Sequence, residues 1–135
     1  MSTLVINRRS VEDVMILDMS GGIRLGESNA YLHQTIKELV NGGEKKILLN
    51  LGEVTKIDSS GMGELIAAWT TLQKNGGEIR LLNLTKGVEQ LMLLTKLLTV
   101  FDTYENEPDA IRSFHVRPTN PLDEKVQENA AVSFS

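Results

Sequence analysis

Hydrophobic residues recur along this chain in two rhythms, every second position or every third to fourth, and the changes of rhythm divide it into nine elements. Leu4-Val5-Ile6 opens a first strand. Asp13 to Met19 predicts a second, with Ser20-Gly21-Gly22 as the break after it. From Glu27 to Asn41 the spacing turns helical, with Leu32, Ile36, Leu39 and Val40 on one stripe and Gly42-Gly43 as its stop. Lys46 to Leu51 is an almost unbroken apolar run, the pattern of a central strand covered on at least one face. Met62, Leu65, Ile66, Trp69 and Leu72 return to helical spacing, closed by Asn75-Gly76-Gly77. Glu78 to Leu84 predicts a fourth strand, Lys86 to Leu97 a third helix and Val100 to Tyr104 a last strand. Pro108-Asp109 starts a short helix carrying Ala110, Ile111 and Phe114, proline being at ease in a first helical turn.

The order β-β-α-β-α-β-α-β-α specifies an α/β domain, a mixed central sheet with helices packed on it. Right-handed crossovers should bring the ends of the later strands, and the Asp58-Ser59 loop with them, to one edge of that sheet. From Val116 onward two prolines, scattered charges and few large apolar residues predict a flexible tail, so the expected division is a domain over 1–115 and a tail over 116–135.

Composition narrows the chemistry. At 135 residues the chain is long enough for one real core, and its 41% hydrophobic content is ordinary. It has no cysteine, which removes disulfides, thiol nucleophiles and Cys-ligated metals. No apolar run approaches membrane-spanning length and no signal-like apolar stretch follows Met1, so the expected address is the cytoplasm, without membrane insertion. The net charge of -4 is unevenly spread: residues 1–101 carry 11 basic and 11 acidic side chains, whereas 102–135 carry three and seven. The folded part therefore has no basic stripe with interleaved aromatics, which argues against nucleic-acid binding.

One stretch stands apart, Lys56-Ile57-Asp58-Ser59-Ser60-Gly61-Met62-Gly63-Glu64-Leu65. It joins a strand to a helix and puts two serines where free backbone N–H groups and the positive end of the helix dipole favour an anion such as phosphate. Asp58 can accept hydrogen bonds from the helix entry, and Ser60 is the expected N-cap. Gly61 and Gly63, lacking Cβ atoms, would let a partner's loop approach closely. A hydrolase with Ser59 as nucleophile is the competing reading, but it needs a nearby base. Neither His33 nor His115 is placed there by the sequence, and Ile57 stands where Gly-x-Ser-x-Gly requires glycine. Both histidines read as surface residues, and no ligand spacing suggests a metal or cofactor. The run from Val88 to Leu98 holds more leucine than one buried stripe needs. The favoured expectation is that the last strand or the terminal helix covers Leu93, Leu94 and Leu97; the alternative is a partner patch or weak self-association.

Ile57-Asp58-Ser59-Ser60-Gly61-Met62-Gly63 resembles the motif of the STAS domain, the fold shared by anti-sigma factor antagonists and the cytoplasmic tails of sulfate transporters. Antagonists of that family carry Asp-Ser-(Ser/Thr/Ala)-Gly-Leu-Gly between the third strand and second helix, so Met62 is a volume-conserving departure. The resemblance extends over Leu17 to Gly21, Leu48 to Leu51 and Gly77 to Leu84. It implies that Ser59 is the phosphorylated residue and that Asp58, Ser59, Ser60, Gly61, Met62 and Gly63 form the partner-binding loop. It also implies partners: an anti-sigma factor serine kinase bound by the unphosphorylated chain and released by phosphorylation, and a metal-dependent serine phosphatase that resets the switch. Such a protein is a ligand and substrate, not an enzyme. The alternative within the family is an unphosphorylated STAS subunit that scaffolds a complex or regulates a transporter.

Overall fold

The computed structural model describes residues 3–115. Residues 116–135, where the tail is expected, lie outside the described residues. Five strands form one sheet in sequence order: β1 (Val5–Val11), β2 (Val14–Ile23), β3 (Lys46–Ile57), β4 (Glu78–Leu82) and β5 (Thr103–Tyr104). β1 and β2 form an antiparallel hairpin, and β2 through β5 run parallel. Four helices intervene: α1 (Glu27–Asn41), α2 (Ser59–Lys74), α3 (Lys86–Leu94) and α4 (Glu107–His115).

Because β2, β3, β4 and β5 are laid down in order across the sheet, right-handed crossovers put α1, α2 and α3 on the same face. Their stripes (Leu32, Ile36 and Leu39; Leu65, Ala68 and Leu72; Val88 and Met92) meet Leu17, Met19, Ile47, Leu49, Leu51, Ile79 and Leu81 in the main core. α4 follows the last strand and returns to the opposite face, where Ala110, Ile111 and Phe114 cover Val14, Ile16, Leu48 and Leu82. The continuous run Ile47-Leu48-Leu49 is thereby explained: neighbouring residues point to opposite faces, and both faces are covered. Arg9 fastens α4 to the hairpin by bridging Asp18 and Glu107, each at 2.5 Å. Arg80 lays its guanidinium 4.4 Å from the centre of the Phe114 ring.

Several boundaries differ from the sequence expectation. Ser20-Gly21-Gly22 does not end β2; the strand continues to Ile23, with register shifts against β3 between Asp18 and Ser20 and between Gly21 and Gly22. The glycines mark a bulge, and Gly21 (φ 99°) runs so close to Thr3 that a Cβ would lie 2.3 Å from its carbonyl oxygen. β3 likewise runs past Leu51 to Ile57, because the extended β2 offers it a parallel partner that pairs Ile23 with Ile57. β4 stops at Leu82, where Asn83 turns left-handed (φ 59°), and β5 is reduced to Thr103 and Tyr104. α3 ends at Leu94 instead of Leu97. Its Thr95 hydroxyl donates back to the Leu91 carbonyl and Lys96 adopts φ 62°, so Leu97–Thr99 form a separate 3-10 turn.

Candidate functional site

The serine motif sits where β2 and β3 end side by side. Beyond the Ile23–Ile57 pair the Asp58 N–H donates to the Ile23 carbonyl at 3.3 Å, and the chain turns directly into α2. There is no intervening loop. Asp58 is the N-cap and Ser59 and Ser60 are the first helical residues, which corrects the expectation that Ser60 would be the cap. One carboxylate organises the turn. Asp58 Oδ1 accepts from the Gly61 N–H at 2.8 Å and from the Ser60 hydroxyl at 2.5 Å, while Oδ2 accepts from the Leu25 N–H at 3.1 Å. The Ser60 hydroxyl, followed by these backbone N–H groups, holds the Asp58 carboxyl below its ordinary range, so it is a fixed anion at neutral pH.

The two serines face different surroundings. Ser60 is half-buried, and its oxygen also accepts from Asn29 Nδ2 at 2.8 Å, which ties α2 to α1. Ser59 is exposed, and its hydroxyl enters no side-chain hydrogen bond among the described residues. A transferred phosphoryl group could reach it without dismantling the turn.

The glycines also part company. Gly61 packs on the end of β2, where a Cβ would lie 2.1 Å from the Ile23 carbonyl oxygen. Its missing side chain admits the protein's own backbone, so the expected approach of a partner at Gly61 is corrected. A Cβ on Gly63 would meet nothing within 4 Å, and only this glycine stays open on the surface. Met62 points inward and is buried in the main core, so it supports the helix and offers no contact surface. The motif thus presents Ser59 and Gly63 outward, with Asp58 and Ser60 half-exposed.

Residues outside the motif complete the site. The turn from Arg24 to Ser28 lies across from Asp58 and is locked by the Ser28 hydroxyl, which accepts from the Arg24 N–H at 2.7 Å and donates to the Arg24 carbonyl at 2.6 Å. It carries Leu25, 82% exposed, and with Tyr31 and Asp58 it lines an open groove. Asn29, Leu25 and Arg24 were not legible as site residues, because no local pattern links positions 24–29 to position 60. On the far side Glu64 approaches His33 Nδ1 at 3.3 Å. His33 is exposed, as expected, and does not reach Ser59 as a base; His115 lies instead beside Glu12 and Asp13 at the hairpin turn.

The sequence model of the STAS domain family matches residues 5–110. The chain belongs to the STAS domain family. Among its curated relatives is a provisionally assigned anti-sigma factor antagonist of Thermotoga maritima, 27% identical over 105 residues, which span 76% of this chain and 93% of that protein. An anti-sigma F factor antagonist of Paenibacillus polymyxa is 24% identical over 103 residues, 76% of this chain and 88% of that one. The fold is shared with the Bacillus cell fate determinant SpoIIAA in its phosphorylated form: TM-score 0.64 and 18% identity, covering 85% of this chain and all of that one. The mixed five-stranded sheet, with α2 opening on an Asp-Ser turn, is this chain's version of the STAS fold. Among the described residues no helix is long and apolar enough to cross a membrane.

Proposed function

We propose that this STAS domain is an anti-sigma factor antagonist of the partner-switching kind, with Ser59 as its phosphoacceptor. In the unphosphorylated state it binds an anti-sigma factor that is also a serine kinase; phosphorylation of Ser59 releases it, and a metal-dependent serine phosphatase restores it. The chain performs no chemistry of its own in this scheme. The observation that carries the reading is the division between the two serines. Ser60 spends its hydroxyl on Asp58 and Asn29, while the neighbouring Ser59 is exposed and free at the first position of α2.

Helix entry suits this chemistry. A phosphate on Ser59 adds about -1.5 to -2 charges at neutral pH. The positive end of the α2 dipole accommodates negative charge, so the phosphorylated fold stays intact. The effect falls on the partner: the charge adds to the fixed anion at Asp58 and to Glu64, beside a surface where Leu25 and Gly63 are exposed. Bulk and repulsion then raise the cost of desolvating the interface.

The test is reaction with ATP and the cognate kinase, identified by purifying the protein with its cellular partner. Intact mass should rise by one phosphate and peptide mapping should locate it on Ser59, with none on the Ser59→Ala variant. Phosphate confined to Ser60, or a partner that binds Ser59→Ala and wild type alike and never phosphorylates either, favours the unphosphorylated scaffold instead.

A further inference from the structure

The α3 helix presents two adjacent leucines to solvent, Leu93 at 58% and Leu94 at 81% exposure. The expected cover does not reach them. α4 lies on the opposite face of the sheet, and β5 is only two residues long at the far edge. The half-buried Leu97 and Leu98 of the 3-10 turn pack toward the main core. α3 satisfies the core with Val88 and Met92, so Leu93 and Leu94 add nothing to it.

The charges around the pair are ordered. Glu89 lies one helical turn before Leu93, and Lys96 lies just past the helix end. Both are exposed, and neither joins an ion pair among the described residues. Along the chain Glu89 precedes the Leu93–Leu94 pair by about one helical turn and Lys96 follows it by two to three residues, so the leucines lie between the two charges. A twofold axis through the leucines therefore sets two copies of α3 antiparallel and brings each Glu89 toward the other copy's Lys96, twice over. The same arrangement opposes the two helix dipoles favourably.

We propose that this face of α3 is a self-association surface whose partner is a second copy of this chain, with Leu93 and Leu94 at its centre and two reciprocal Glu89–Lys96 pairs at its rim. The surface is distinct from the Ser59 turn. A nine-residue helix is about 13 Å long and cannot bury the roughly 800 Å² per partner of a stable interface. The dimer is accordingly weak and concentration-dependent, forming where local concentration is high.

Sedimentation equilibrium of the full chain from micromolar to millimolar concentration tests this. The mean mass of wild type should climb toward twice 14.9 kDa. Leu94→Asp should stay monomeric throughout, with an unchanged circular dichroism spectrum because the side chain is exposed. Glu89→Lys opposes two like-charge pairs and should associate about tenfold more weakly. Adding Lys96→Glu to it restores opposite charges in exchanged order and should return the wild-type constant. A wild-type chain monomeric at millimolar concentration overturns the proposal. So does association indifferent to Leu94→Asp, or a double variant no better than Glu89→Lys alone. Nuclear Overhauser contacts from the Leu94 methyls to residues 116–135 of a monomeric chain would give the face to the chain's own C-terminal segment instead, and equally overturn it.

Discussion

The Ser60 hydroxyl donates to Asp58 Oδ1 at 2.5 Å and accepts from Asn29 Nδ2 at 2.8 Å, so a single oxygen joins the end of β3, the start of α2 and the body of α1. Its neighbour Ser59 shares none of these bonds. Adjacent serines of identical chemistry therefore hold unlike positions, one fixed within the domain and one exposed to solvent.

Removing the Ser60 hydroxyl should expose this difference. Ser60→Ala leaves a buried Asn29 amide without its acceptor and deprives Asp58 of a donor, a loss of about 1–3 kcal/mol. The chemical-denaturation midpoint should fall accordingly while Ser59 remains a phosphoacceptor. A variant as stable as wild type would mean that the α1–α2 link carries no energy.

Ser59→Asp should separate fold from binding. A carboxylate at the first turn of a helix gains about 0.3–1 kcal/mol from the dipole, so thermal unfolding should move little. Partner affinity, measured by titration calorimetry, should fall because the charge adds to that of Asp58. Undiminished affinity, or a collapse in stability, would remove the basis for a switch directed at the partner.

The two motif glycines should respond in opposite ways to alanine. Gly61→Ala forces a Cβ against the Ile23 carbonyl and should destabilise by about 1–3 kcal/mol as α2 is pushed off β2. Gly63→Ala meets open space inside a helix, where alanine is favoured by up to about 1 kcal/mol, and should raise the unfolding temperature. Parallel thermal scans decide the matter; equal effects at both sites would contradict the packing of the helix entry.

Acid should weaken the fold by a definite route. Lys46, with His115 alongside, draws Asp13 down from 3.8 to about 2. Arg9 lowers both Asp18 and Glu107, against the opposing effect of burial. A carboxylate depressed in the folded state contributes its full stability above its ordinary value, near 3.8 for Asp13, and loses it as pH falls toward the folded value. The unfolding temperature should therefore be nearly level from pH 7 to about pH 5 and drop between about pH 4 and pH 2. Asp18→Asn should shrink that drop, because it removes one of the groups Arg9 holds ionised. A flat profile down to about pH 2 would show that these pairs contribute nothing.

Much of the architecture follows from periodicity alone. The helix from Glu27 to Asn41 is bounded by its own apolar stripe and a glycine stop, and the run Ile47-Leu48-Leu49 announces a central strand covered on at least one face, the second cover being supplied by α4. Those signals are local, carried by neighbours in the chain, and the Asp-Ser-Ser-Gly-Met-Gly motif is equally local. What the chain could not disclose depends on contacts between distant segments. Ser20-Gly21-Gly22 reads as a break, yet it stays in β2 because β3 pairs with all three residues and β1 with Ser20. Gly61 looks like a surface member of a binding loop, and only the meeting of α2 with the end of β2 turns it inward. Leu93 and Leu94 look coverable until α4 crosses to the other face of the sheet. Above all, the sequence set Ser59 apart from Ser60 by resemblance and cap preference, but not by the bonds that fix Ser60 and leave the Ser59 hydroxyl without a side-chain partner among the described residues. That division rests on Asn29, thirty-one positions from Ser60 in the chain, and a hydrogen bond over that separation exists only once α1 and α2 lie side by side on the sheet.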